Sequence, residues 1–361
     1  MRAAFYAPLK PLDHPQPSGD REIGRLIKRA LTDNGVDVEI ASRLRSWMRS
    51  PDTEQYRPLK NEATREASGL IERWRPSPPD VWVTYHLYHK APDWIGPAVS
   101  KALGIPYVAI EASRSLKRQN DGWAQWFEDA DIGIHHADTL ICFHDKDLNG
   151  LKTAVPASRL HKIAPFIDTE LYRPRTRKPG TSRSIHLITV AMMREGDKAA
   201  SYRCLAEALA SLQDLDWSLT IIGDGPARAN LEPLFPKGRC QFLGARSPED
   251  IPDLLRQADL FIWPAINEAF GMVFLEAQAA GLPVLAGRTG GVPDIVRDGE
   301  TGFLSAVGDA DALAANLRKL ISEPDTRNRL SHNAIDHIED NHSLATTGRT
   351  LADCIKGSAS V

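Results

Sequence analysis

Asn267-Glu268-Ala269-Phe270-Gly271-Met272-Val273-Phe274-Leu275-Glu276-Ala277-Gln278-Ala279-Ala280-Gly281-Leu282-Pro283 carries two carboxylates eight positions apart around a Phe-Gly turn. An Ala-rich helix with a Gly stop follows the turn, and the apolar run Leu260-Phe261-Ile262-Trp263 before it reads as a strand. The order is strand, acidic loop, helix N-terminus, second acid. The first N–H groups of a helix have no partner within it and, with the helix dipole, favour a phosphate. With the helix starting near Phe270, the donors are Phe270, Gly271, Met272 and Val273, and Gly271 lets a ligand approach the backbone closely. Carboxylates accept hydrogen bonds from sugar hydroxyls. Glu268 is placed to hold the hydroxyls of a sugar, and Glu276 those of a ribose. On their own, two such acids are as readily a cap and a solvated surface group.

The wider pattern decides between these readings. Downstream lie Gly281-Leu-Pro-Val284, Gly290-Gly-Val-Pro-Asp294 and Asp298-Gly-Glu-Thr-Gly302. Upstream lie Ile222-Gly-Asp-Gly-Pro226 and Phe242-Leu-Gly244. Taken together, Glu268 to Glu276 and these flanking segments resemble the E-x7-E signature of retaining glycosyltransferases with the GT-B fold, of the family-4 type. The resemblance is dense between about residues 185 and 325 and weaker before them.

Composition is that of an ordinary soluble globular protein. The 361 residues imply about two domains. Hydrophobic content of 42%, charged content of 25% and net charge −3 are ordinary for a globular chain and give no reason to expect nucleic acid. No apolar run reaches the ~18 residues of a membrane span, and the N-terminus reads as a strand rather than a signal peptide. A cytoplasmic location is expected, with peripheral attachment at the inner membrane face as an open alternative. That alternative rests on Arg43-Leu-Arg-Ser-Trp47-Met-Arg49 and on Arg114-Ser-Leu-Lys117-Arg118 followed by Trp123, Trp126 and Phe127. Basic residues beside aromatics suit anionic lipid, or equally a solvated face with its rings turned inward. The four cysteines form no CxxC, so neither zinc nor a disulfide framework is expected, and the histidines show no metal spacing.

Strand and helix signals alternate throughout, which argues for parallel sheets covered on both faces. The reading is α/β: two doubly wound Rossmann-like domains facing a cleft. An N-terminal, acceptor-binding domain spans 1–174, a polar linker 175–184, and a C-terminal nucleotide-sugar domain 185–361, whose last helix crosses back to the first domain in some relatives. Residues 40–80 are broken by Pro51, Pro58, Pro76, Pro78 and Pro79, leaving one helix near 61–74.

The resemblance implies further roles. Lys198, and Arg194 in the same loop, would meet charge building on the leaving phosphate; relatives carry their Arg two positions earlier, where this chain has Met192. Gly19 stands where relatives have a Gly-rich loop near the diphosphate. Relatives also place a His after a first-domain strand, close to the transferred sugar. Here that register holds Glu111, and His86, at the end of the preceding strand, is the other residue able to serve. The implied reaction is metal-independent and needs no cofactor. It takes a nucleotide-diphosphate sugar as donor and a glycan or lipid-linked acceptor, with the leaving phosphate as base. Two other readings remain: an inactive GT-B scaffold that binds a partner glycosyltransferase, and a GT-B nucleotide-sugar epimerase. Base, sugar, acceptor, linkage and oligomeric state are not legible in the sequence.

Overall fold

The computed structural model describes residues 1–16, 18–174, 184–268 and 271–359. They form two compact units, one of residues 1–165 with 344–361 and one of residues 166–343.

The first unit is built on six parallel strands: β1 (Arg2–Tyr6), β2 (Asp37–Ser42), β3 (Val81–Leu87), β4 (Tyr107–Ala112), β5 (Thr139–Cys142) and β6 (Leu160–Lys162). Their order is β2-β1-β3-β4-β5-β6. The helices are α1 (Gly19–Asp33), α2 (Thr53–Trp74), α3 (Gly96–Leu103), α4 (Ala124–His136) and α5 (Asp145–Leu151). Every residue of β4 is buried, as expected for a parallel strand covered on both faces. The chain runs from β1 to β2 on one side, then returns to lay β3 on the other. The switch point of this sheet is therefore at the carboxyl ends of β1 and β3, where open α/β sheets bind ligands.

The second unit repeats the principle with β7 (Ile185–Val190), β8 (Trp217–Ile222), β9 (Cys240–Gly244), β10 (Leu260–Trp263), β11 (Val284–Gly287) and β12 (Gly302–Ser305), in the order β12-β11-β10-β7-β8-β9. Its helices are α6 (Asp197–Ala210), α7 (Arg228–Leu231), α8 (Ile251–Leu255), α9 (Met272–Ala279), α10 (Val292–Ile295), α11 (Ala310–Ser322) and α12 (Pro324–His342). Here the switch point lies between β7 and β10, the dinucleotide-fold arrangement. Leu187, Phe261, Trp263, Phe274 and Leu285 belong to one continuous core of this unit.

Two expectations need correction. The first unit ends at residue 165, not 174, because the following segment packs on the second: the Ile167 N–H donates to the His342 carbonyl at 2.9 Å, and Ile167 and Tyr172 join the second core. Of the linker read at 175–184, residues 175–183 lie outside the described residues. The helix expected near 61–74 starts at Thr53, since Asp52 accepts from the Glu54 and Gln55 N–H groups at 2.9 and 3.3 Å. Pro58 sits inside it. Tyr56, buried and bonded to Asp129, ties down its first turn, and Asp129 also accepts from Lys60 and the Trp94 indole, each at 2.7 Å. The last helix, α13 (Thr347–Ser358), is counted with the first unit and packs on α1.

Trp123, Trp126 and Phe127 lie in the core at 6%, 1% and 4% exposure, so the rings of that stretch turn inward, whereas Trp47 of the other basic stretch is half-buried. Arg114 is spent on Asp131 through two bonds of 2.8 Å. Among the described residues, no helix is long and apolar enough to cross a membrane.

Candidate functional site

At the switch point of the second sheet, the loops after β7 and β10 come together. Lys198 stands in the first turn of α6, and its ammonium donates to the Glu268 carboxylate across seventy positions of sequence. The same ammonium lies 5.5 Å from the centre of the Trp263 ring, the last residue of β10. Exposures of 29% for the Lys198 side chain and 18% for that of Glu268 leave both within reach of a ligand. The loop that carries Glu268 is held by α6: the Ile266 N–H donates to the Ser201 hydroxyl at 2.9 Å, and the Asn267 amide donates to Asp197 at 2.7 Å. Ala265 and Asn267 take φ values of +57° and +55°, a left-handed backbone that costs about 1–3 kcal/mol per residue and collects at functional sites.

The Gly223-Asp224-Gly225 motif has a supporting role. The Met193 N–H donates to the Asp224 carbonyl at 2.9 Å, and the Ala227 N–H to the Met193 carbonyl at 3.0 Å. A Cβ at Gly223 would stand 1.8 Å from the Ala191 carbonyl oxygen, and one at Gly225 2.3 Å from that of Met193. These glycines let β8 back the turn leading to Lys198. Within that turn Arg194 is exposed and has no hydrogen-bond or ion-pair partner among the described residues, so it is not joined to Lys198 and Glu268. Met192 is 49% exposed.

Helix α9 begins at Met272, two positions later than read from the sequence. Gly271 is its cap in a left-handed conformation (φ +67°), and no side chain caps the end. The first-turn N–H groups of Met272 and Val273 are thus left for a ligand or water. Phe270 lies outside the described residues. Glu276 is half-buried; burial pushes its pKa up from 4.5 to about 7, opposed by a hydrogen bond from Tyr172. Tyr172, from the segment once assigned to the other domain, is a partner the sequence did not reveal.

The first unit holds a second cluster at its own strand ends. His86 is the next-to-last residue of β3 and Glu111 that of β4, both with positive φ (+64° and +53°). The His86 Nε2 is 3.3 Å from Glu111 and 3.5 Å from Asp20, the second residue of α1. Burial works against the imidazolium, but Glu111 and Asp20 outweigh it and raise the His86 pKa. Burial raises that of Glu111, while the bond to His86 lowers that of Asp20. Two carboxyl groups thus flank the His86 imidazole and favour its protonated form. Both residues named from the sequence are here; Asp20 was missed, although it follows Ser18-Gly19 directly. A Cβ at Gly19 would meet nothing within 4 Å, so open space faces that backbone. Among the described residues, no group of three or more His, Cys, Asp or Glu side chains is arranged to hold a metal ion. A cavity of about 350 Å³ lies at the amino ends of β7, β8 and β9, the end away from Lys198, with His186 and Arg239 in its wall.

Residues 188–337 match the family described as "Glycosyl transferases group 1". Over 240 residues the chain is 32% identical to a D-inositol 3-phosphate glycosyltransferase of Corynebacterium glutamicum, covering 61% of this chain and 57% of that one. It is 27% identical over 274 residues to an alpha-D-kanosaminyltransferase of Streptomyces kanamyceticus, covering 70% and 71%. The chain spans about half the length of the Corynebacterium relatives it matches. The crystal structure of Anabaena Alr3699/HepE in complex with UDP superposes with a TM-score of 0.72 at 18% identity, over 99% of this chain and 100% of that one. The chain thus has the two-domain, Rossmann-like GT-B fold, and its second unit carries a segment of the glycosyl transferases group 1 type.

Proposed function

We propose that this chain is a retaining glycosyltransferase that moves a hexose from a nucleotide-diphosphate donor to a glycan or lipid-linked acceptor. The carrying observation is the Lys198–Glu268 pair at the switch point of the second sheet. In this reading the bond between the sugar's anomeric carbon and the diphosphate oxygen breaks. The acceptor oxygen bonds to that carbon on the same face, and its proton passes to the leaving phosphate. The Lys198 ammonium meets the charge that builds on that phosphate, the kind of fixed electrostatic contact on which catalysis depends most. Arg194, from the same turn, is assigned to the same phosphates. Glu268 positions sugar hydroxyls and Glu276 accepts from the ribose, while Gly271, Met272 and Val273 offer backbone N–H groups to the diphosphate. No divalent metal is invoked, because side-chain cations supply the positive charge. In the first unit, His86 and Glu111 are assigned to the acceptor side. The names of the relatives support glycosyl transfer, and the UDP held by the Anabaena structure supports a nucleotide donor.

Incubating the protein with a panel of nucleotide sugars, with and without glycan and lipid-linked acceptors, and measuring nucleotide diphosphate release tests the proposal. Lys198→Ala and Glu268→Ala should each lower turnover by about 10²–10³-fold. Full turnover in both variants refutes the assignment. No release with any donor favours an inactive scaffold.

A further inference from the structure

Helix α6 supplies Lys198, and the same helix is tied twice to the turn that supplies Glu268. Residues 265–268 form a turn closed by the Glu268 N–H on the Ala265 carbonyl at 3.2 Å. Its third residue, Asn267, has the positive φ (+55°) that Asn or Gly adopts at this position of a turn. Ala265, at φ +57°, is a different matter. It has a Cβ and no polar side chain to bond locally, so its left-handed backbone is imposed by its neighbours.

The closing bond leaves the Ile266 N–H unused, and that group donates to the Ser201 hydroxyl at 2.9 Å. Ser201 is fully buried, and its own proton goes to the Asp197 carbonyl one helical turn back, at 2.9 Å. The hydroxyl is thus fixed in direction, its proton committed to the helix and its lone pair facing Ile266. Asp197 makes the second tie, since its carboxylate accepts from the Asn267 amide at 2.7 Å. Lys198 follows Asp197 directly, and its ammonium donates to Glu268, which follows Asn267 directly. One turn of helix, through residues 197, 198 and 201, is therefore locked to residues 266, 267 and 268. A tie serving stability alone would hold a relaxed loop. These ties hold a strained one, beside an ion pair left within reach of a ligand. We infer that Ser201 and Asp197 are positioning residues, which hold the strained turn so that Glu268 faces Lys198 and which act on transfer only through Glu268, an inference that rests on the role proposed for that carboxylate.

A kinetic cycle of Ser201→Ala and Glu268→Ala tests this, read as kcat for nucleotide diphosphate release from the donor that the wild type turns over fastest. Misplacing a positioning group by about 1 Å can cost about a hundredfold, so Ser201→Ala should lower kcat by about ten- to a hundredfold. In Glu268→Ala no carboxylate is left to misplace, and adding Ser201→Ala should lower kcat by less than about twofold. A crystal structure of Ser201→Ala should show Glu268 beyond hydrogen-bond reach of Lys198. Asp197→Ala, at an exposed position, should repeat both kinetic results and stands in if Ser201→Ala does not fold. Wild-type kcat in both folded variants, an unchanged turn in the crystal, or the full Ser201→Ala loss on top of Glu268→Ala each overturns the inference and leaves the role of Glu268 intact. Wild-type kcat in Glu268→Ala removes that role itself, and the inference with it.

Discussion

Glu276 gives the most discriminating test, because its ionisation and its proposed task conflict. Burial pushes its pKa from 4.5 to about 7. A ribose hydroxyl donates best to the ionised carboxylate, so donor binding must draw off the proton. If only the ionised form binds, affinity scales with the ionised fraction. That fraction is about one in eleven at pH 6 and about nine-tenths at pH 8 for a group titrating at about 7, so affinity should rise about tenfold across this interval. Calorimetry with UDP-glucose is the cleaner assay, since its doubly esterified diphosphate does not titrate there. Repeating it in two buffers of different ionisation enthalpy should show proton release near pH 6 and almost none at pH 8. Glu276→Gln should bind with one affinity at all pH values. A wild-type affinity flat between pH 6 and 8, or an unchanged slope in Glu276→Gln, refutes the ribose assignment.

Other outcomes follow from the same geometry. In the folded state the Glu276 pKa is raised, so its contribution to stability is intact below about pH 4.5 and lost as pH rises through about 7; the ceiling is about 3 kcal/mol, and Glu276→Gln should raise Tm near pH 8 but not near pH 4 in thermal melts. The Lys198→Ala, Glu268→Ala double variant should lose little more turnover than either single one, because residues acting as a unit are non-additive; full additivity in a kinetic cycle would separate their roles. Gly223→Ala forces a Cβ to 1.8 Å from the Ala191 carbonyl, so urea melts should show a loss of about 1–3 kcal/mol or more, whereas Gly19→Ala meets open space and should be near neutral in stability. Glu111→Gln should leave Tm within a few degrees of the wild type while lowering kcat with any acceptor; an unchanged kcat removes the first-unit cluster from the mechanism.

Much of this was legible in the sequence, for physical reasons that differ by region. The second unit was readable because its signature is local: Gly271 where the backbone is left-handed, Glu268 before it and Glu276 one turn on all fall within ten residues. The pairing of Lys198 with Glu268 is a contact across sheet topology, and only the resemblance linked the two. Where local reading failed, tertiary contacts had decided. Pro58 looked like a breaker, but Asp52 and the Tyr56–Asp129 bond start the helix ahead of it. Trp123 and Trp126 looked like surface aromatics because neighbouring Arg and Lys side chains stay in solvent while the rings turn inward. Asp20 escaped notice because nothing in its immediate sequence shows that the fold brings it towards His86 and Glu111.

The placement of α13 has a consequence for how the chain is made. Unit two occupies one uninterrupted stretch, and its ends meet where Ile167 pairs with Ser343. Unit one is split, and Gly348 of α13 fits so closely on α1 that an added Cβ would reach 3.2 Å from Ala30. Synthesis proceeds from the N-terminus, and domains fold as units while it does. The part that starts first is therefore completed last: its α1 face stays uncovered until residues beyond 344 emerge, by which time the second unit can already be folded. A chain ending at residue 343 would therefore hold a complete second unit beside a first unit whose α1 face is uncovered.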